Sequence, residues 1–74
     1  MSEKLDYRNN LEAIMQAYPN NKVLTVNQVA QYLNIRRQTV SDLIADGDLA
    51  AANIGKGEYK IYRVSRESLA RFLS

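Results

Sequence analysis

The hydrophobic residues near the N-terminus recur at helical spacing. The apolar positions three or four residues apart are Leu11, Ile14, Met15 and Tyr18. This spacing is typical of one face of an α-helix, and Pro19 cannot continue that helix. We therefore expect a helix over residues 9–18, capped by Asn9 or Asn10, whose apolar stripe packs on the rest of the chain. The polar residues 1–8 are expected to form a frayed, dispensable tail.

A second helical pattern begins at Thr25. Threonine followed three residues later by Gln28 is the capping-box signature of a helix start. The predicted inward face comprises Val26, Val29, Ala30 and Leu33. Asn34 tolerates the left-handed conformation that ends helices, so we expect the helix to end there.

The next helix is predicted from Arg36 or Arg37 to Asp46, followed by Gly47 as its C-terminal residue. The apolar residues of this segment are Val40, Leu43 and Ile44. Ile35 is the apolar residue of the short connection between the two helices. We expect its side chain to fill the gap between them.

The C-terminal part of the chain predicts a β-hairpin and a last helix. Residues 49–54 read as a weak strand, residues 55–58 as a glycine-rich turn, and residues 59–64 as a stronger, alternating strand. Ser65 is expected to cap the final helix. The predicted buried side of that helix comprises Leu69, Phe72 and Leu73. The pattern as a whole predicts one mainly α domain over residues 1–74 with a small β-hairpin.

Composition narrows the possible chemistry. The chain has 74 residues, 46% of them hydrophobic and 24% charged, and contains neither cysteine nor histidine. Disulfides and thiolate chemistry are thereby excluded, and the commonest general base and metal ligand is missing. We therefore expect no enzyme activity, no cofactor and no metal site. No apolar run is long enough for a membrane span and no signal core opens the chain, so we expect a cytoplasmic protein without membrane association.

The formal net charge is +2. Residues 1–24 carry equal numbers of basic and acidic side chains, so the whole excess lies in residues 25–74. A balance this small permits nucleic-acid binding only if the basic residues cluster on one face.

The segment from Thr25 to Gly47 has the layout of a helix-turn-helix, whose second helix can enter the major groove of DNA. The exposed start of that helix carries Arg36, Arg37 and Gln38. Arginine can hydrogen-bond guanine through two donors, and glutamine can pair similarly with adenine. Arg36 and Arg37 are therefore the first candidates for DNA contact, since positive charge at a helix N-terminus is otherwise unfavourable.

Other polar residues of this region allow two readings each. Gln38 and Ser41 either contact bases or are simply exposed, and Thr39 either touches phosphate or packs against the preceding helix. On the hairpin, Lys56 and Lys60 either contact phosphate or only aid solubility. Arg63 faces DNA if its neighbours Tyr62 and Val64 face the core, and Tyr62 is expected to be a core residue.

Asp42, on the face that should meet DNA, would be repelled by phosphate. Its carboxylate can instead accept from a cytosine amino group or orient a neighbouring side chain.

The second half of the chain resembles a known family, the excisionase-type helix-turn-helix proteins of the MerR-like group. The resemblance covers residues 24–74 and lies in the segments 24–35, 36–40, 43–49, 62–64, 67–69 and 72–73. It implies a winged helix-turn-helix, here preceded by an extra N-terminal helix. The second helix would lie in the major groove of duplex DNA, and the hairpin would lie along the adjacent minor groove as a wing.

The resemblance also implies candidates for function and partners. Excisionase-type members are architectural partners of a tyrosine recombinase (integrase) during excision of a phage or mobile element. For this chain we also expect neighbouring copies to bind DNA cooperatively. Other members regulate transcription. The expected function is therefore sequence-directed DNA binding and bending by a recombination directionality factor. The alternatives are a small transcription regulator or a winged-helix module that binds proteins instead of DNA.

Overall fold

The computed structural model describes residues 3–74 and arranges them as four helices and a three-stranded antiparallel sheet. The elements in chain order are α1 Glu3–Ala17, β1 Val23–Thr25, α2 Val26–Leu33, α3 Arg37–Ala45, β2 Ala52–Asn53, β3 Tyr62–Ser65 and α4 Arg66–Leu73. The predicted fold, mainly α with a small β component and an extra N-terminal helix, is confirmed.

The N-terminal helix is longer than the sequence pattern predicted. α1 begins at Glu3 instead of Asn9 or Asn10, so the prediction of a frayed tail is wrong for residues 3–8, while residues 1–2 lie outside the described part. The apolar stripe starts one turn earlier than predicted, at Tyr7, which packs against the core. The Arg71 guanidinium of α4 lies 5.9 Å from the centre of the Tyr7 ring, within the range of a cation–π contact.

The stripe of α1 is also narrower than predicted. Ile14 is fully buried and Leu11 packs against the core, but Met15 is 41% exposed. α1 packs mainly against α4, at the other end of the chain. Since one helix covers only one face of α1, Met15 is left at the edge of the contact.

The ends of α1 and α4 are joined by polar contacts. Arg66, the first residue of α4, donates from Nη1 to the Tyr18 carbonyl at 3.3 Å. The Tyr18 hydroxyl in turn donates to the Gln28 carbonyl at 3.1 Å. The end of α1 is thereby tied to both α2 and α4.

The helix-turn-helix is built by the local signals read from the sequence. Thr25 Oγ1 accepts from the Gln28 N–H at 3.1 Å, and the Thr25 N–H donates to Gln28 Oε1 at 2.9 Å, so the capping box is confirmed. Asn34 is left-handed, with φ of 57°, as predicted. The expectation for Ile35 is wrong, because its side chain is exposed. The connection is held by the backbone instead, since the Ile35 N–H donates to the Ala30 carbonyl at 3.0 Å.

α3 ends where glycine was expected to end it. Gly47 has φ of 82°, a conformation that side chains with a Cβ rarely adopt. The N–H groups of Asp48 and Leu49 both donate to the Leu43 carbonyl, at 2.9 and 3.1 Å. Leu49 was predicted to start a strand, but it is buried in the core next to this helix end.

The sheet has one more strand than the hairpin that the sequence predicted. Its order is β1-β3-β2, with Leu24 opposite Val64 and Asn53 opposite Tyr62. β1 is only three residues long, so it carries too little alternation to be recognised. The two hairpin strands are shorter than predicted, although the Ile54 N–H still donates to the Ile61 carbonyl at 2.8 Å beyond their formal ends.

One buried cluster joins all the layers. Its members are Ile14, Leu24, Val29, Ala30, Val40, Leu49, Val64, Leu69 and Ala70. At the C-terminus, Ser65 Oγ accepts from the Ser68 N–H at 3.0 Å, so the predicted cap of α4 is confirmed. Phe72 packs on the cluster, but Leu73 in the last turn is exposed, which corrects its predicted burial.

Candidate nucleic-acid interface

We call the hairpin of residues 52–63 the wing. An open cleft lies between α3 and the wing, and the volume of this cleft is about 970 Å³. The lining residues are Thr25, Val26, Asn27, Arg36, Arg37, Gln38, Ser41, Asp42, Ala45, Lys60, Ile61, Tyr62 and Arg63. The cleft is therefore built from the start of α2, one face of α3 and the base of the wing.

The cleft concentrates the positive charge of the chain. Four basic side chains and one acidic side chain line it, which gives a formal charge of +3. The whole chain carries only +2, so everything outside the cleft sums to −1. Clustering on one face is what nucleic-acid binding requires of a nearly neutral chain.

The exposed face of α3 forms one wall. Arg37, Ser41 and Ala45 follow one another at intervals of four residues and therefore lie along one ridge of the helix. Arg36 precedes the helix as its N-cap and makes no side-chain cap. Both arginine side chains are exposed at the mouth of the cleft, where an anion or a base edge can reach them.

Gln38 and Asp42 are paired on the next ridge of α3. Gln38 Nε2 donates to Asp42 Oδ1 at 3.0 Å across one helical turn. The carboxylate that the sequence placed on this face thus holds a neighbouring side chain, one of the two roles considered for it. A glutamine amide has two N–H donors and one carbonyl acceptor, so Gln38 keeps one donor and its acceptor available.

The wing forms the other wall. Arg63 lines the cleft, and its Nη1 donates to the Tyr62 carbonyl at 2.9 Å, which restricts the guanidinium to the surface beside it. Lys60 also lines the cleft. Tyr62 was expected in the core, but it is half-buried at the cleft wall, because β3 reaches the core only at Val64, two residues later.

The structure brings together six of the eight predicted site residues and leaves two apart. The six that line the cleft are Arg36, Arg37, Gln38, Ser41, Lys60 and Arg63. Thr39 is exposed on α3 but lies outside the lining. Lys56 lies at the exposed tip of the wing, beyond the cleft.

Sequence reasoning missed the contribution of α2. Thr25 and Asn27 at its N-terminus line the cleft beside Tyr62. The positive end of the α2 dipole therefore adds to the field of the basic side chains. The capping box at Thr25 located this helix end, but its position beside the wing follows only from the pairing of β1 with β3, which places Thr25 opposite Arg63.

Other kinds of site find no support in the described residues. Across residues 3–74 there is no group of three or more acidic, histidine or cysteine side chains that could hold a metal ion. None of the helices described is both long and apolar enough to cross a membrane.

Comparison with known proteins identifies the family. A family model described as a helix-turn-helix domain matches residues 23–74, from the first residue of β1 onward, and leaves α1 outside. No curated protein and no solved structure matches the chain. The matched family includes excisionase-like DNA-binding domains. The chain therefore belongs to the helix-turn-helix domain family of DNA-binding proteins.

Proposed function

We propose that this protein binds duplex DNA in a sequence-directed manner, with α3 in the major groove and the wing over the adjacent minor groove. The observation that carries the proposal is the cleft charge of +3 in a chain of only +2. An α-helix with its side chains is about 10–12 Å in diameter and fits a major groove that is about 12 Å wide. The wing at the other wall of the cleft then lies over the backbone that borders that groove.

The first turns of α3 supply the base readers. Arg37 is exposed at the start of the helix, the end that meets base edges in helix-turn-helix complexes. Its guanidinium can donate two hydrogen bonds to guanine. Arg36, Lys60 and Arg63 would neutralise phosphates of the backbone that borders the major groove. Lys56, at the wing tip, would contact a further phosphate.

Asp42 would make Gln38 a better reader. Adenine recognition uses one amide N–H and the amide carbonyl of glutamine. The hydrogen bond to Asp42 occupies the other N–H, at 3.0 Å, and fixes the amide plane before DNA arrives. The Asp42 carboxylate also repels phosphate, which lowers the affinity for every duplex irrespective of its sequence.

We further propose that the biological role is that of an excisionase-like recombination directionality factor. The family includes excisionase-like domains, and the resemblance of residues 24–74 points to the same group. Such a protein would position and bend DNA for a tyrosine recombinase, with neighbouring copies binding cooperatively. The recombinase would supply the chemistry of strand exchange.

The DNA-binding proposal is tested by fluorescence anisotropy on duplex DNA over a range of salt concentrations. Three to five phosphate contacts give a log–log slope of about −3 to −4.5. Arg37→Ala should cost about 1–3 kcal/mol on the preferred duplex and relax selection at one base pair. Lys56→Ala should weaken binding to all duplexes alike and reduce the magnitude of the salt slope by about one.

Arg8 supplies the matched control, since it is an exposed arginine of α1 outside the cleft. Arg8→Ala should leave affinity and selectivity unchanged. Absence of binding at low salt, or an affinity that does not change with salt concentration, would contradict the proposal and favour a protein-binding winged helix. The excision role is tested separately, by asking whether the protein shifts a tyrosine recombinase from integration to excision. An effect only on a promoter reporter would identify a transcription regulator.

A further inference from the structure

The wing carries an exposed apolar cluster that the proposed contacts do not use. Tyr59 is 79% exposed, Ile54 57% and Ile61 43%. All three lie within the eight residues from Ile54 to Ile61, together with Lys56 and Lys60. Large apolar side chains grouped at the end of a projecting hairpin usually mark a binding surface.

The backbone of the wing holds this cluster in place. Asn53 Oδ1 accepts from the N–H groups of Gly55 at 3.0 Å and Ile61 at 3.1 Å, which ties the two arms of the hairpin together. The Tyr59 N–H donates to the Lys56 carbonyl at 3.1 Å and closes the turn. Gly55 lies so close to Tyr59 that a Cβ there would overlap the Tyr59 carbonyl oxygen. The tip is therefore a tightly closed turn instead of an open loop.

Ile54 and Ile61 lie opposite each other at the base of the turn that carries Tyr59. The register that pairs Asn53 with Tyr62 continues through the hydrogen bond from the Ile54 N–H to the Ile61 carbonyl, at 2.8 Å. Directly opposed residues of an antiparallel pair point to the same side. Ile61 is also part of the cleft wall. The apolar cluster is thus continuous with the proposed DNA surface.

Charge and size indicate what this cluster binds. Lys56 and Lys60 lie on the same tip with Glu58 between them, so residues 54–61 keep a formal charge of +1, which favours a polyanion over an apolar protein surface. A stable protein interface needs about 800 Å² and some 20–30 residues from each partner, more than a tip of eight residues can present. Proteins that bend DNA often insert an apolar side chain between base steps of the minor groove.

We propose that Tyr59, beside the exposed pair Ile54 and Ile61, inserts as an apolar wedge into the minor groove next to the α3 site and bends the duplex. The inference rests on the proposed DNA binding and adds to it the residue responsible for bending. Lys56 and Lys60 hold the phosphates on the two sides of the groove while the ring unstacks a base step.

The test uses the full chain and a duplex of about 30 base pairs, selected by the wild-type protein from a random pool and labelled at its ends with a dye pair. Energy transfer at saturating protein measures the bend, and 2-aminopurine placed in the flanking minor groove reports unstacking. Tyr59→Ala should return the transfer efficiency toward that of free DNA and abolish the 2-aminopurine signal. It should weaken binding at least about fivefold with an unchanged salt slope.

Two variants complete the design. Tyr59→Phe keeps the ring and should bend the duplex as the wild-type protein does. Lys56→Ala, on the same tip, should reduce the salt slope by about one but keep the bend at saturation. Circular dichroism checks folding, which an exposed side chain should not affect.

The outcomes separate the wedge from DNA binding itself. A bent complex that is unaltered by Tyr59→Ala overturns the wedge and leaves the DNA-binding proposal intact. Loss of cooperativity between adjacent sites with an unchanged bend also overturns it, and would make the cluster a contact between copies. If the wild-type protein does not bind the duplex at all, the proposed function fails first.

Discussion

The docking of α1 onto the core can be tested with two adjacent residues. Ile14 is fully buried, while Met15 is 41% exposed on the same turn of α1. Replacing a buried isoleucine with alanine costs about 2–5 kcal/mol through lost apolar contact and the cavity left behind. A chain of 74 residues has a total stability of about 4–11 kcal/mol at 0.05–0.15 kcal/mol per residue. Ile14→Ala should therefore remove a large share of the stability.

The assay is thermal and urea unfolding followed by circular dichroism. Ile14→Ala should lower Tm by about 8 °C or more, at 4–8 °C per kcal/mol for a domain of this size. Met15→Ala should change stability by no more than about 0.5 kcal/mol, as is usual for surface positions. Equal melting temperatures for the two variants would refute the packing of α1 on the core. The folded fraction of Ile14→Ala should still bind DNA, because neither residue lines the cleft.

Three further predictions concern the helix cap, the wing and the acidic residue of the cleft. Thr25→Ala removes the acceptor of the Gln28 N–H at 3.1 Å and should cost about 1 kcal/mol in urea unfolding; an unchanged midpoint would contradict the cap. Gly55→Ala should open the wing and lower the free energy of unfolding by about 1–3 kcal/mol. In Gly57→Ala the added Cβ meets no atom within 4 Å, so the free energy of unfolding should fall only by the strain of its positive φ, about 1–2 kcal/mol. Amide exchange of Ile61 separates the two variants, because loss of protection is expected in Gly55→Ala alone. Asp42→Asn keeps an acceptor for Gln38 and should tighten binding to preferred and scrambled duplexes alike, while Asp42→Ala should lower the ratio between them in competition anisotropy. An identical ratio in both variants would mean that Asp42 acts through charge alone.

The parts of the fold that follow from local chemistry were predictable from the sequence. Thr25 with Gln28, Asn34 and Gly47 each satisfy a backbone requirement within a few residues of their own position. Their effect does not depend on what the rest of the chain does. The helix-turn-helix is bounded by these residues, so its limits were predicted to within a residue.

The features that depend on distant partners were not predictable in this way. The first turns of α1 are polar in sequence, and Tyr7 finds its partners in the core and in Arg71 of α4. β1 exists as a strand because Leu24 and its neighbours pair with β3. Met15 and Leu73 have the spacing of buried residues but lie where a partner helix no longer covers them.

The candidate site shows the same division. The α3 residues Arg37, Gln38 and Ser41 could be placed in one site because a helix fixes their common face. The misplaced residue, Tyr62, lies at the start of a strand that reaches the core only at Val64, and alternation alone does not show where the core begins. The hydrogen bond that gives Asp42 its role also needed coordinates, since a carboxylate four residues after glutamine pairs with it only in the right rotamers.

The sheet explains how so small a chain can hold the two walls of the cleft at a fixed separation. β3 is the central strand, and its Arg63 is opposite Thr25 on one side and Ala52 on the other. Thr25 is also the cap of α2, and α2 leads into α3 through three residues held by a backbone hydrogen bond at 3.0 Å. Backbone pairing thus connects the wing to β1, and α2 continues that connection to α3. The two walls are therefore ordered before a ligand arrives, so less conformational entropy is lost on binding. Since β1 provides this connection, the three-residue strand that the sequence pattern did not reveal is the element that sets the width of the cleft.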